Sequence, residues 1–270
     1  MSPSQAAGSP DERVRQVAAA YDDDAVSYRD HWAQVLRGPG EALIEALRIQ
    51  DATRILDIAA GVGGLGESLR RSVPHARVIA VDRSEGMLRL AGGYHGRALM
   101  DASRLAVLSG SFDAALLCFA LFHFVEPVAA LAEARRVLRP AGALGVTVWG
   151  DMLEYEALRV VKQELDNQGA PELPPILAQH ELMNTPAKLE ELLGRAGFTD
   201  TAVWSKPLDY QAETDAFMAR FALRSLRRRT AALEESKRAA CLARVRERLS
   251  SMEPEGFLDR TPVIYATARG

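Results

Sequence analysis

The sequence predicts an α/β fold built on a doubly wound, mostly parallel sheet of seven strands, with helices ahead of it and a helical insertion late in the chain. Three observations predict this. Short, continuously apolar runs alternate with helical patterns between Arg54 and Trp149, the texture of parallel strands covered on both faces. A glycine-rich turn follows the first of these runs. The 270 residues are 48 % hydrophobic and 26 % charged, an ordinary balance for one large soluble domain or a domain with an elaboration.

The elements follow in order. Residues 1–10 are rich in Ser, Pro, Ala and Gly, lack the basic-then-apolar layout of a signal peptide, and read as a disordered tail. From Asp11 to about Arg48 the pattern is helical, with Val14, Val17, Ala18 and Tyr21 at helical spacing. Gly38-Pro39-Gly40 is expected to interrupt it before a further helix ending near Leu47. Arg54–Ile58, Arg77–Val81, Ala98–Met100, Phe112–Cys118 and Ala143–Trp149 read as strands, with helices at Leu65–Arg71, Glu85–Ala91 and Val128–Leu138. Beyond Trp149, Glu154–Asp166 is helical, and Pro171, Pro174 and Pro175 mark a loop. Thr185 and Pro186 open a helix, as N-cap and first residue, that ends at Gly197. Thr201–Ser205 and Pro262–Ala266 supply two more strands, and Glu213–Arg229 and Ala231–Leu249 two helices. The expected organisation is a single domain over 1–270. Its parts are the tail, N-terminal helices at 11–50, a core at 51–150, and a remainder at 151–270 with an insertion at about 211–250.

Composition excludes several classes. Thirty-three basic against 36 acidic residues give a charge of −3, so nothing favours bulk binding to nucleic acid or membrane. Two cysteines, Cys118 and Cys241, build neither a disulfide framework nor a cysteine-rich zinc site. The longest apolar run, Ala114–Val125, falls short of the ~20 residues of a membrane span. A soluble, cytoplasmic protein is expected. Arginine supplies nearly all the basic residues, as codon bias in a GC-rich genome would produce.

The strongest local signal is Asp57-Ile58-Ala59-Ala60-Gly61-Val62-Gly63-Gly64-Leu65-Gly66, which leaves a strand and enters a helix, where backbone N–H groups cradle a ligand. Taken literally, Gly61-x-Gly63-x-x-Gly66 is a dinucleotide fingerprint with Asp82 as the ribose acid. Charge argues otherwise. A dinucleotide brings a pyrophosphate that Asp57 would repel. S-adenosylmethionine brings a sulfonium and an ammonium that it would attract by ~1 kcal/mol. Asp82 suits ribose hydroxyls in either case.

Residues 55–150 resemble a class I S-adenosylmethionine-dependent methyltransferase, near the group of ubiquinone and menaquinone C-methyltransferases. Besides the glycine loop, the likeness rests on Val81-Asp82-Arg83-Ser84-Glu85-Gly86-Met87-Leu88, on Asp101-Ala102, on Ser111–Ala114 through Phe119–Phe124, and on Arg135–Gly142. It implies a Rossmann-like fold with N-terminal lid helices and S-adenosylmethionine as cofactor. It implies that Ala59, Gly61 and Gly63 let the backbone approach the methionine end. Asp82 would bind ribose, Arg83 and Met87 would flank adenine, and Asp101 and Ala102 would address its amino group. Cys118 and Phe119 would stand beside the sulfonium. Two departures stand out: Ala59 replaces the family's first glycine, and Ala141-Gly142 replaces its Gly-Gly.

Methyl transfer is an in-line displacement, so positioning and desolvation do most of the work. A base is needed only if the acceptor loses a proton. His123, at the carboxyl edge of the fourth strand, suits that role, with packing or helix capping as the plain alternative. The segment Tyr21–Trp32 resembles the family's lid: Tyr28 would cover the cofactor, and His31, Trp32, Phe122 and His123 would face the acceptor. An amphipathic helix packed on the sheet explains the same pattern. Asp22-Asp23-Asp24 reads as helix capping, since consecutive carboxylates do not converge on one ion, and no metal is expected. His75 and His95 read as exposed, and His180 lies in the proline-rich stretch that would border an acceptor pocket. Arg224, Arg227, Arg228 and Arg229 read as the solvated face of a cap helix.

The resulting expectation is a methyltransferase acting on a small-molecule acceptor, a secondary metabolite of a natural-product pathway or a quinone-like compound. The alternatives are a non-methylating relative that binds the cofactor and catalyses another reaction such as a cyclisation, or a cofactor-sensing binding protein. Acceptor, methylated atom and oligomeric state are not specified by the sequence.

Overall fold

The computed structural model describes residues 9–173, 179–221 and 225–270. The expected tail lies outside them as far as residue 8, as do Pro174, Pro175 and Arg224. The chain forms two compact units, one of residues 1–151, 176–206 and 263–270, the other of 152–175 and 207–262. The second unit therefore draws on two stretches and exceeds the insertion expected at 211–250.

In the first unit, α1 (Pro10–His31) begins at Ser9, whose side chain accepts from the Glu12 N–H, so the helix starts where a tail was expected. The break before α2 (Ala33–Leu47) falls at Trp32, and α2 runs straight through Gly38-Pro39-Gly40. This corrects the sequence reading. Pro39 removes one hydrogen bond, but Leu43, Ile44 and Leu47 are buried from this helix, and that packing outweighs propensity. Gly40 also permits close approach: a Cβ there would lie 2.2 Å from Leu65 Cδ2.

β1 (Arg54–Ile58), α3 (Gly66–Ser72), β2 (Arg77–Asp82), α4 (Glu85–Leu90), β3 (Gly96–Leu99), β4 (Phe112–Cys118), α5 (Pro127–Val137) and β5 (Leu138–Trp149) follow in alternation. α6 (Glu156–Asn167) belongs to the second unit. α7 (Pro186–Arg195) and β6 (Asp200–Pro207) return to the first, with the Thr185 side chain accepting from Lys188 N–H as expected of an N-cap. β7 (Tyr210–Gln211), α8 (Thr214–Phe221), α9 (Ser225–Ala231), α10 (Glu235–Ser250) and β8 (Leu258–Asp259) lie in the second unit, and β9 (Pro262–Arg269) closes the sheet of the first. The helix expected over Glu213–Arg229 is thus described as two.

The seven-stranded order is β3-β2-β1-β4-β5-β9-β6, parallel from β3 to β5 and antiparallel between β5 and β9. The order reverses beside β1, so a crevice opens at the carboxyl ends of β1 and β4. Leu56, Ile58, Leu117, Leu131 and Leu144 are fully buried around these strands. Asp113 Oδ2 accepts from Thr53 N, Thr53 Oγ1 and Arg54 N at 2.8–2.9 Å, pinning the start of β4 to that of β1. Tight packing fixes α3 as well: a Cβ on Gly66 would lie 2.2 Å from the Gly92 carbonyl oxygen. Gly66→Ala is therefore expected to destabilise the protein by about 1–3 kcal/mol, lowering Tm by several degrees in a thermal melt.

The second unit has its own core, with Val161, Leu165, Phe217, Val245, Leu249 and Phe257 buried together. Glu164, 2 % exposed, takes Arg244 at 3.2 Å and Arg248 at 2.8 Å. Arg229 is not on a solvated face: its guanidinium is buried between Asp166 and Glu172 and the carbonyls of Ala170 and Pro171, which satisfy its charge. Among the described residues, no helix is long and apolar enough to cross a membrane.

Candidate functional site at the carboxyl edge of the sheet

The glycine loop sets the site. Ala59 and Gly61 take left-handed φ values of 56° and 54°. For the alanine this costs about 1–2 kcal/mol, held in place by Ala60 N–H donating to the Val81 carbonyl at 3.1 Å and Gly61 N–H donating to Asp82 Oδ2 at 2.8 Å. A Cβ on Gly61 would meet nothing within 4 Å, and Gly61 faces a cavity running from this loop to Phe124. Gly63, expected to face a ligand, does not line that cavity. It turns against Ala91 and Tyr94, where a Cβ would come within 2.9 Å, and Gly64 lines the cavity instead.

Two buried carboxylates face the cavity. Asp82 accepts from Ser84 N–H at 2.9 Å as well as from Gly61, and its burial raises its pKa despite those hydrogen bonds. Asp57 is 2 % exposed, and burial pushes its pKa up to about 7. The Tyr94 hydroxyl donates to Asp57 Oδ2 at 2.6 Å and opposes the rise; Asp82 adds to it. Nothing in the pattern around Gly92-Gly93-Tyr94 marks Tyr94 as a partner of Asp57.

Arg83, Met87 and Ala102 line the same cavity, together with Met100. Arg83 Nη2 reaches Asp101 at 3.1 Å, its guanidinium sits 5.8 Å from the Phe124 ring centroid, and its buried Nη1 has no hydrogen-bond partner. Asp101 does not line the cavity: it is turned to Arg83 and to the Ser103 N–H at 2.8 Å.

At the other wall stand Cys118, Phe119, Tyr28 and His123. Burial pushes the Cys118 thiol up, so it behaves as a small apolar side chain. Phe119, at φ 52°, packs 4.7 Å from Trp149. His123 ends a short 3₁₀ turn, Leu121–His123, and its Nε2 lies 2.8 Å from the Tyr21 hydroxyl. Burial, with a further contribution from the Arg83 charge, lowers its pKa to about 4, so it is neutral at physiological pH. Tyr21 comes from α1 and stands edge-on to both Tyr28 and His123. Neither His31, Trp32 nor Phe122 lines the cavity. Trp32 is 6 % exposed and edge-on to Trp149, because the turn between α1 and α2 points it inward. Phe122 packs on the core beside His123, and His180 contacts the Gly150 carbonyl at 2.9 Å.

Asp22 caps, but the helix it caps is α4: its Oδ1 accepts from Ser84 Oγ at 2.5 Å and Gly86 N–H at 2.8 Å, tying α1 to the turn after Asp82. Among the described residues no group of three or more His, Cys, Asp or Glu is placed to hold a metal ion.

Residues 56–146 match the family model of a methyltransferase domain. A malonyl-[acyl-carrier protein] O-methyltransferase of Hahella chejuensis is 34 % identical over 134 residues, 48 % of this chain and 48 % of that protein. A ubiquinone/menaquinone biosynthesis C-methyltransferase of Paracoccus denitrificans is 35 % identical over 121 residues, 41 % of this chain and 48 % of its own length. With these two relatives the match spans about half of the relative. Among solved structures, the [4+2]-cyclase SpnF superposes with a TM-score of 0.53 at 20 % identity, covering 86 % of this chain and 80 % of that one, a likeness of fold.

Proposed function

We propose that this chain, whose residues 56–146 belong to the class I S-adenosylmethionine-dependent methyltransferases, transfers a methyl group from that cofactor to a small-molecule acceptor. One observation supports it above the rest: a buried carboxylate, Asp57, stands at the glycine loop, where an anionic pyrophosphate would be repelled and a cationic ligand is attracted.

The residues present fit the cofactor. Asp82 offers acceptor lone pairs to ribose hydroxyls, Met87 and Ala102 offer an apolar slot for adenine, and the orphaned Arg83 Nη1 offers a donor to a ring nitrogen. Gly61 leaves the backbone open to the cavity, and Asp57 meets the ammonium. When bound, S-adenosylmethionine supplies an activated methyl group on a sulfonium centre. The chain's own contribution is to orient the two partners, exclude water and hold a proton acceptor. Phe119, Phe124 and the tyrosines of α1 dry the site. His123, neutral and hydrogen-bonded to Tyr21, is the proton acceptor.

His123→Ala is expected to lower kcat about 100-fold while KM for the cofactor changes less than twofold. In the wild type kcat should be flat between pH 6 and 8, because His123 stays neutral throughout that range. An unchanged kcat in the variant removes His123 from the chemistry. The function itself is tested by incubating the protein with isotopically labelled S-adenosylmethionine and small-molecule extracts, then finding the label by mass spectrometry. Labelled product supports methyl transfer to a quinone-like or secondary-metabolite acceptor. Cofactor-dependent turnover without label favours a cyclase-type reaction, and binding without turnover favours a sensor.

A further inference from the structure

We propose that Tyr94 is a positioning residue for cofactor binding: from behind the glycine loop its hydroxyl holds one oxygen of Asp57 and leaves the other to the ammonium of the amino-acid end. The inference rests on the cofactor assigned above and gives a task to a residue that touches no ligand itself.

The packing places Tyr94 behind the loop. Asp57 lines the cavity and Tyr94 does not. Tyr94 lies between α4 and β3, and its ring rests on the far side of the loop, where a Cβ on Gly63 or on Gly66 would come within 2.9 Å of its Cε2. Neither glycine lines the cavity, so the missing side chains make room for this ring and not for a ligand.

The contact suits a charged partner. An O–H···O distance of 2.6 Å is that of a hydroxyl donating to a carboxylate ion. Asp57 is buried, and among the described residues Tyr94 is its sole hydrogen-bond donor. The other groups around Asp57 do not favour its charge. Asp82 faces it from β2 and opposes ionisation, while the Cys118 thiol on β4 is uncharged. Arg37, Arg83 and His123 line the same cavity, yet Tyr94 is the group that holds the Asp57 pKa down. With that pKa at about 7, roughly half of the ligand-free protein carries the ionised Asp57 at neutral pH. Losing the Tyr94 hydrogen bond would move the titration up by about one pH unit and remove most of the form that an ammonium binds.

The test is calorimetric titration of S-adenosylhomocysteine into the full chain at three pH values. Tyr94→Phe keeps the ring beside Gly63 and Gly66 and removes only the hydroxyl. It is expected to weaken binding about ninefold at pH 6, about fivefold at pH 7 and less than about twofold at pH 8.5, the pattern of a titration moved upward. Asp82 and Cys118 are untouched, so the difference between the two profiles belongs to Tyr94. In the Asp57→Asn background the same substitution should change affinity less than about twofold at every pH. Binding of 5′-methylthioadenosine, which lacks the amino-acid end, shows that the variants are folded. An unchanged profile, a loss equal at pH 6 and pH 8.5, or an undiminished effect in the Asp57→Asn background overturns the assignment. If the wild-type protein binds neither ligand, the cofactor reading fails, and the role of Tyr94 fails with it.

Discussion

Asp82→Ala is expected to weaken S-adenosylhomocysteine binding by at least 100-fold. Two losses combine. The carboxylate that would accept from the ribose hydroxyls disappears, and so do the acceptors for Gly61 N–H at 2.8 Å and Ser84 N–H at 2.9 Å. Hydrogen bonds to a charged group contribute about 1.5–3 kcal/mol each, and 100-fold corresponds to about 2.7 kcal/mol. The Gly61 bond also holds the loop in its left-handed turn, and Ser84 bonds to Asp22 of α1. Asp82→Ala should therefore loosen the α1 contact as well, seen as faster amide exchange around Ser84–Gly86. Calorimetric titration reads the affinity directly, and a loss below about threefold would remove Asp82 from the binding site.

The second large effect is on pH. Asp57 in the ligand-free protein titrates at about 7, chiefly because of its burial. A carboxyl whose folded pKa lies above its unfolded value contributes stability that is fully present below the unfolded value and lost as pH rises through the folded one. The ligand-free protein should accordingly lose stability, on the order of 4 kcal/mol, between about pH 4 and pH 7. A cationic ligand reverses this, since it binds the ionised form. Affinity for S-adenosylmethionine should rise about 16-fold from pH 5.5 to 7, with close to one proton released per ligand at the acid end. Asp57→Asn should abolish both the slope and the proton release. A wild-type affinity independent of pH over that range would show that Asp57 does not meet the cationic end.

The sheet was legible because its strands are dominated by apolar residues: Ile55, Leu56 and Ile58, with Asp57 among them, and Ala114–Leu117 are buried and could be little else. The glycine loop and Asp82 were legible for a different reason, since strand, turn and helix there are contiguous in sequence. The misread positions depend on distant partners. Pro39 looked like a helix breaker, yet α2 continues because its apolar face is buried and Gly40 fits against Leu65. Gly63 looked like a ligand-facing glycine, but the segment Ala91–Tyr94 occupies the space beside it. Trp32 had the aromatic character of a lid, and the turn at the end of α1 directs it onto Trp149. Tyr94 and Arg37 carry no local signature, and Tyr21, read within the lid-like segment, carries none for its contact with His123. They enter the site through a strand-edge loop and two N-terminal helices whose placement only the folded chain fixes. Asp22 is intermediate: its capping chemistry was readable, but not that the capped helix is α4, 62 residues from it at Ser84.

The most direct measurement of the central claim is a titration of S-adenosylhomocysteine into the full chain, with NAD titrated in parallel. One saturable site for S-adenosylhomocysteine and no competition from NAD is the result the buried Asp57 and the open Gly61 turn predict. No binding of S-adenosylhomocysteine, or tight binding of NAD at the same site, would contradict it.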